Sequence, residues 1–372
     1  TGGPSVIPRD MAAAASWNVQ SNDTATIRDA LTTRLDETGI ALKGLTITGS
    51  TATAHVRNDR FGAGAQVIGR VARAMTGVMP ANVETFRIVP LVNDMPVTAV
   101  TVTRSDLEEL ANDLDGSWKS YARADIEDGQ PYDLDETAKL PGAYPEFDTR
   151  VGPYVLPSFF DPDSPIRADV GIEAGAAFTP APGFILSGLI RKPLFGNLAD
   201  SNRLSNSVLP HVRTDSVLYE RNADLELTYL TAEYFSRPGP NLYGRVTAGY
   251  LERMYGGVSG EVLWKKSDSP LALGVELNYA RKRDFDIQFG FQNYEIWTGH
   301  ASAYYDFGNG FLGQVDVGRY LAGDWGATFA MDREFSNGFK IGAYFTLTDV
   351  PFDQFGEGSF DKGIRITIPV SW

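Results

Sequence analysis

The sequence predicts a mainly β protein: a transmembrane antiparallel β-barrel of about 12 strands over residues 141–372, preceded by a small periplasmic α+β module over residues 1–140. Three observations predict it. Residues 1–140 hold six aromatic side chains and the rest holds 37, while glycine shifts from 11 to 27 and net charge divides nearly evenly, −6 and −8. From residue 150 on, segments of about ten residues alternate apolar and polar side chains, the period of a strand with unlike faces. Tight turns and longer connections also alternate between those segments.

The module reads as α-β-β-α-β-β-α. Asn22 or Asp23 can cap a helix with Ile27, Leu31 and Leu35 on one face, and Gly39 stops it. Residues 45–48 and 51–57 form a hairpin through Gly49 and Ser50, and residues 63–76 form a second helix with Val67, Ile68, Val71 and Met75 aligned. Residues 83–92 and 97–103 pair through Asn93 and Asp94, and Ser105, with Glu108 three residues on, opens a third helix. Residues 105–139 carry eleven acidic and three basic residues, which reads as a solvated helix and acidic linker rather than a cation site.

The strands of the second part are expected near 151–160, 168–178, 184–195, 216–235, 241–253, 256–266, 271–282, 291–306, 311–320, 323–334, 338–348 and 362–372. In the clearest, Leu271, Leu273, Val275, Leu277 and Tyr279 oppose Ala272, Gly274, Glu276, Asn278 and Ala280. Residues 339–348 and 364–372 repeat the pattern. Tyr229, Tyr250, Trp264, Tyr279, Trp297, Tyr305, Trp325 and Trp372 lie on the apolar register, mostly near strand ends, as in aromatic girdles. A soluble sandwich would instead tuck Leu273, Val275 and Leu277 between two layers, and a soluble ligand-binding barrel would turn them inward.

Composition removes several classes. Lys+Arg 33 against Asp+Glu 47 gives −14, which repels phosphate backbones, so nucleic acid is not an expected partner. Cysteine is absent and His55, His211 and His300 are the only histidines, so no metal centre and no cofactor are expected. No apolar run of about 18 residues occurs, so no membrane-spanning helix is expected. The opening TGGPSVIPRD has neither Met nor a signal-peptide pattern and reads as part of something longer.

Residues 244–261 (GRVTAGYLERMYGGVSGE), 300–310 (HASAYYDFGNG), 318–329 (GRYLAGDWGATF) and 355–364 (FGEGSFDKGI) resemble the YjbH/GfcD family of outer-membrane exopolysaccharide and capsule proteins. VLPHVR at 208–213, ETFRIVP at 84–90 and RSDLEEL at 104–110 extend the likeness. The resemblance implies the carboxy-terminal half of a longer lipoprotein, with a second barrel half as its neighbour. It also implies a role in exporting or assembling extracellular polysaccharide in the outer membrane of a Gram-negative bacterium. Lipid, polysaccharide and periplasmic export proteins docking on residues 1–140 are the partners it implies. It supplies no catalytic residues.

If the apolar register faces lipid, the polar register lines the lumen. Its candidates are Glu173, Glu226, Arg245, Glu261, Glu276, Asn278, His300, Gln314, Asp316, Lys340 and Arg365, with Lys265, Thr298, Ser302, Asp332 and Thr367 beside them. Carboxylates, amides and Arg can hydrogen-bond sugar hydroxyls, and Tyr243, Tyr304 and Tyr344 offer stacking faces. Mutually paired charges that merely stiffen a closed barrel are the plainer expectation. His300 and Ser302 share a face, so a barrel enzyme modifying polysaccharide or lipid is the alternative to a non-catalytic pore or scaffold. Asp161 with Asp163, and Asp284 with Asp286, match no complete calcium loop and are expected to be solvated turns, as are Gly256 with Gly257 and residues 355–360.

Overall fold

The structure is a computed structural model, and it describes residues 3–9, 21–134, 138–159, 164–202, 205, 207–354 and 360–369. Two compact units emerge, the first built on Thr1–Tyr144 and the second on the strands from Pro145 on.

In the first unit, helix α1 (Ser21–Asp36) buries Ile27, Leu31 and Leu35, which recur every four residues, and Gly39 ends the turn at φ +75°. The helix already runs from Ser21, so Asn22 and Asp23 lie within it rather than ahead of it. Strands β1 (Ile40–Thr48) and β2 (Thr51–Asn58) form the expected hairpin. Helix α2 (Gly64–Thr76) then buries Val67, Val71 and Met75 and returns the chain to β3 (Thr85–Val92), which pairs parallel to β2.

Asn93 and Asp94, at φ 48° and 61°, make the two-residue turn that suits a twisted hairpin. The short β4 (Met95–Pro96) and β5 (Thr98–Thr103) follow and both pair with β3. Leucine, valine and alanine side chains from both helices and the sheet form one core with Phe86 and Met75.

Helix α3 (Arg104–Glu109) is capped by Thr103, whose Oγ1 accepts from the Asp106 amide at 3.3 Å, whereas Ser105 turns to Glu84. Two elements then stand where an acidic linker was expected: helix α4 (Gly116–Arg123) and strand β6 (Asp125–Asp128), which pairs with β5. Several acidic side chains stay exposed and partly neutralised, for Arg123 reaches both Asp106 and Glu109, while Glu108 is largely buried against Arg9 and Arg104. High charge density therefore did not prevent folding. Asp135 and Glu136 lie outside the described residues.

The second unit is a single sheet in which each strand pairs with the next. Its strands are β7 (Glu146–Phe159), β8 (Ile166–Ala181), β9 (Phe184–Gly196), β10 (Glu226–Gly239), β11 (Leu242–Tyr250), β12 (Tyr255–Lys265), β13 (Leu271–Arg283), β14 (Phe291–Gly308), β15 (Phe311–Arg319), β16 (Trp325–Glu334), β17 (Lys340–Thr348) and β18 (Asp361–Thr367). These are the expected twelve. Among the described residues β7 and β18 do not pair with each other, so the sheet is open there rather than closed into a barrel.

Two boundaries differ from expectation. β7 begins at Glu146 rather than near 151. Residues 216–235 are not one strand: helix α5 (Ser216–Asn222) precedes β10. Tyr219 and Ala223, one helical turn apart, pack with Met254, Tyr255, Ala280 and Ile287 in a small core among the connections.

Tight turns follow β8, β10, β12, β14 and β16, with Gly183 at φ 74° and Asn241 at φ 57° in two of them. The longer connections, 197–225 above all, lie at the opposite strand ends. β7 starts and β18 finishes at the tight-turn end.

The faces divide as the alternation demands. On β13, Leu273 is 45% exposed, Val275 64% and Leu277 57%, while Ala272 and Ala280 are buried. These large side chains are not tucked between two layers. The same holds for Ile341, Phe345 and Leu347 on β17 and Ile364 and Ile366 on β18. Tyr229 departs from its expected register. A bulge between Leu227 and Tyr229 sets it opposite the buried Leu189, on the polar side. Val370 and Trp372 lie outside the described residues.

Candidate functional site on the polar face of the sheet

Directly opposed residues on antiparallel strands share a face, so register alone assembles the site. Arg245 on β11 stands opposite Glu261 on β12, Glu261 opposite Glu276 on β13, and Glu276 opposite His300 on β14. One transverse row thus holds four of the expected residues. The row beside it runs Thr247, Ser259, Asn278, Thr298, and the row on its other side runs Gly274, Ser302, Asp316, Thr328, Thr346.

Most of these groups have a partner. Arg245 bonds Glu261 at 3.0 Å and also reaches the hydroxyls of Thr247 and Ser259. His300 Nδ1 meets Glu276 Oε1 at 2.9 Å, and Asn278 donates to Thr298. Asp316 accepts from Ser302 at 2.6 Å and from Gln314 at 2.8 Å. Arg191 bonds Glu173 at 2.9 Å, Arg365 bonds Asp332 at 2.8 Å, and Lys340 bonds Glu334 at 2.8 Å. Each pair is worth about 0.2–1 kcal/mol where water still reaches it.

The Ser/His arrangement of an acyl-transfer site does not form. Ser302 Oγ donates to Asp316, not to His300, and His300 spends Nδ1 on Glu276. His300 Nε2 is shielded from solvent and has no partner. Among the described residues no group of His, Cys, Asp and Glu is arranged to hold a metal ion. Asp161 and Asp163 lie outside the described residues, and Asp286 caps its own turn by accepting from the Gln288 amide.

The longer-connection end carries a cluster that sequence reasoning missed. Glu226 is 3% exposed, and Arg253 joins it to Glu220 of α5 with bonds of 2.8 and 2.9 Å. Burial works against the Arg253 charge, yet the hydrogen bonds and charges of Glu220 and Glu226 more than offset it and raise its pKa. Arg283, fully buried, donates to the carbonyls of Glu252, Ile287 and Gln288 and so clamps two connections. Tyr219 donates to the Arg283 carbonyl at 2.8 Å, and its burial pushes its pKa up. Alternation along β9 could have found Arg191. Nothing periodic marks Arg253, whose partners depend on how two connections fold.

A two-unit, β-rich chain with one apolar face and one paired polar face is the class defined so far. It belongs to the YjbH family: the family model described as "Exopolysaccharide biosynthesis protein YbjH" matches residues 4–372. The uncharacterized lipoprotein YjbH of Escherichia coli (strain K12) is 32% identical over 314 residues, which make up 81% of this chain and 44% of that relative. The chain therefore spans less than half the length of the curated relative it matches.

Proposed function

We propose that the chain is a non-catalytic outer-membrane component of exopolysaccharide export or assembly, with β7 closing against β18 to make a barrel and the module lying in the periplasm. The inverted pattern of exposure carries this reading, since large apolar side chains face out while carboxylates, Arg and hydroxyls pair on the other side. In hydrocarbon the free edges of β7 and β18 would leave unpaired amides, so insertion requires closure.

The aromatic spacing agrees. Trp297 and Tyr305 on β14 are both exposed on its apolar face, opposite Tyr279 and Leu271 of β13. About 26 Å of strand separates them at roughly 3.3 Å per residue. Tilted by about 40°, that gives a band of about 20 Å, close to the ~25 Å of outer-membrane barrels. Both chain ends of the sheet fall at the tight-turn end, as an even strand count requires, and that is the periplasmic end in such barrels. The family's link to exopolysaccharide and the relative's lipoprotein name support the pathway and the location.

The test is a strain lacking the protein, scored for extracellular polysaccharide, with complementation by the wild-type chain and by Val275→Arg. Loss of secreted glycan, restored only by the wild type, is expected. Unchanged secretion in the deletion strain would reject the role. The enzymatic reading would need turnover of polysaccharide or lipid that His300→Ala abolishes.

A further inference from the structure

The hydrogen-bonding polarity of the central strip indicates which glycans it suits. On β12–β15, Glu261, Glu276 and Asp316 lie in adjacent rows, and among the described residues Arg245 is the Arg or Lys bonded to one of them, Glu261. Glu276 is met by the His300 imidazole, and Asp316 by a hydroxyl and an amide.

An ionised carboxylate only accepts, so the Glu276 contact takes a proton from His300 Nδ1. His300 Nε2 is shielded and has no partner. Tyr304 stands in the same strip, within electrostatic range of all three carboxylates, with a ring that a sugar face can stack on. Elsewhere on this face the acidic groups Glu173, Asp332 and Glu334 each have a cation of their own. The strip therefore carries three carboxylates against Arg245 and, in the Tyr304 row, Lys265, and it is rich in acceptors.

We propose that this strip admits neutral or amine-bearing glycans and turns away chains bearing uronate or phosphate groups. Hydroxyls and ammonium groups supply the donors the strip lacks. A uronate brings a further acceptor and a like charge into a confined polar space where water screens poorly. The inference rests on the barrel reading, because only a closed sheet makes this face a passage.

Full-length protein in detergent would be titrated with glucosamine oligomers, neutral dextran oligomers and galacturonate oligomers of matched length. Glucosamine oligomers are expected to bind at least about tenfold more tightly than galacturonate oligomers at low salt, a difference of about 1.4 kcal/mol. Raising the salt to about 0.5 M should erode that ratio, because screening shortens the reach of the carboxylates. Glu276→Gln with Asp316→Asn should erode it too. The salt titration on the wild type keeps the test decisive if the double variant fails to fold. Equal or tighter binding of galacturonate, or no binding of any probe, overturns the proposal. Heat-dependent gel mobility of the same preparation reports closure separately, so a folded barrel with the wrong preference condemns the strip alone.

Discussion

Val275 and Glu276 are neighbours in the chain and opposites in environment. Val275 is 64% exposed on one face of β13, while Glu276 lies on the other with its carboxylate 2.9 Å from His300 Nδ1. A one-residue slip would exchange the two, so register and face are specified together. The first prediction follows. Val275→Arg should cost about 2–4 kcal/mol of membrane folding, because the charge would sit near the middle of the lipid band. Folding into lipid vesicles, read as the shift between heated and unheated gel bands, measures it.

Arg253 bridges Glu220 and the buried Glu226. Removing one member of such a group strands a charge, so Arg253→Met should cost about 3–5 kcal/mol locally. Glu226→Gln in the same chain should recover part of that loss. Protease cutting within residues 197–225 is the measurement, and an unchanged cutting rate would count against the bridge.

Gly257 sits at φ 150°, and a Cβ there would meet the Tyr279 carbonyl oxygen at 1.9 Å. Gly257→Ala should disrupt the β12–β13 pairing and destabilise by at least about 1–3 kcal/mol. Gly260 has open space in place of a Cβ, and Gly260→Ala should be nearly silent. Thermal unfolding of the two variants side by side distinguishes them.

The module should weaken in acid. Partial burial works against the Glu84 charge, but hydrogen bonds from Ser105 and Arg9 prevail and hold its pKa below the usual carboxylate value. Asp106 is held low chiefly by the Thr103 hydroxyl, with Arg123 adding to it. For a depressed folded pKa the stabilisation is present above the ordinary value and is lost as pH falls through the folded one. Urea unfolding followed at a fluorophore on Ser117→Cys should thus shift to lower midpoints below about pH 4. Glu84→Gln with Asp106→Asn should flatten that dependence.

Much of this was legible in the sequence. Strict alternation along residues 271–280 gave the faces of β13, and Asn93 with Asp94 gave a hairpin turn, because both signals are local. Helix α5 was hidden because Tyr219 and Ala223 are buried by partners from connections far along the chain. The Tyr229 register was hidden because a bulge leaves no mark in a two-residue period. Residues 105–139 looked solvated because charges such as Glu109 and Asp125 are indeed exposed, while the pairing of β6 with β5 depends on backbone groups that composition does not report. Of the polar face, membership was readable from alternation and partnership was not. Which acid meets Arg245, and that Ser302 turns to Asp316, depend on strand register.

The most direct measurement uses the absence of cysteine. Single cysteines at each position from 271 to 280, spin-labelled in protein reconstituted into lipid vesicles, report access to oxygen, which concentrates in lipid, and to a polar nickel chelate. High oxygen access at 273, 275 and 277, alternating with low values at 274, 276 and 278, is the expected result. Uniform values along the strand, or nickel access at 273, 275 and 277, would contradict a lipid-facing apolar side.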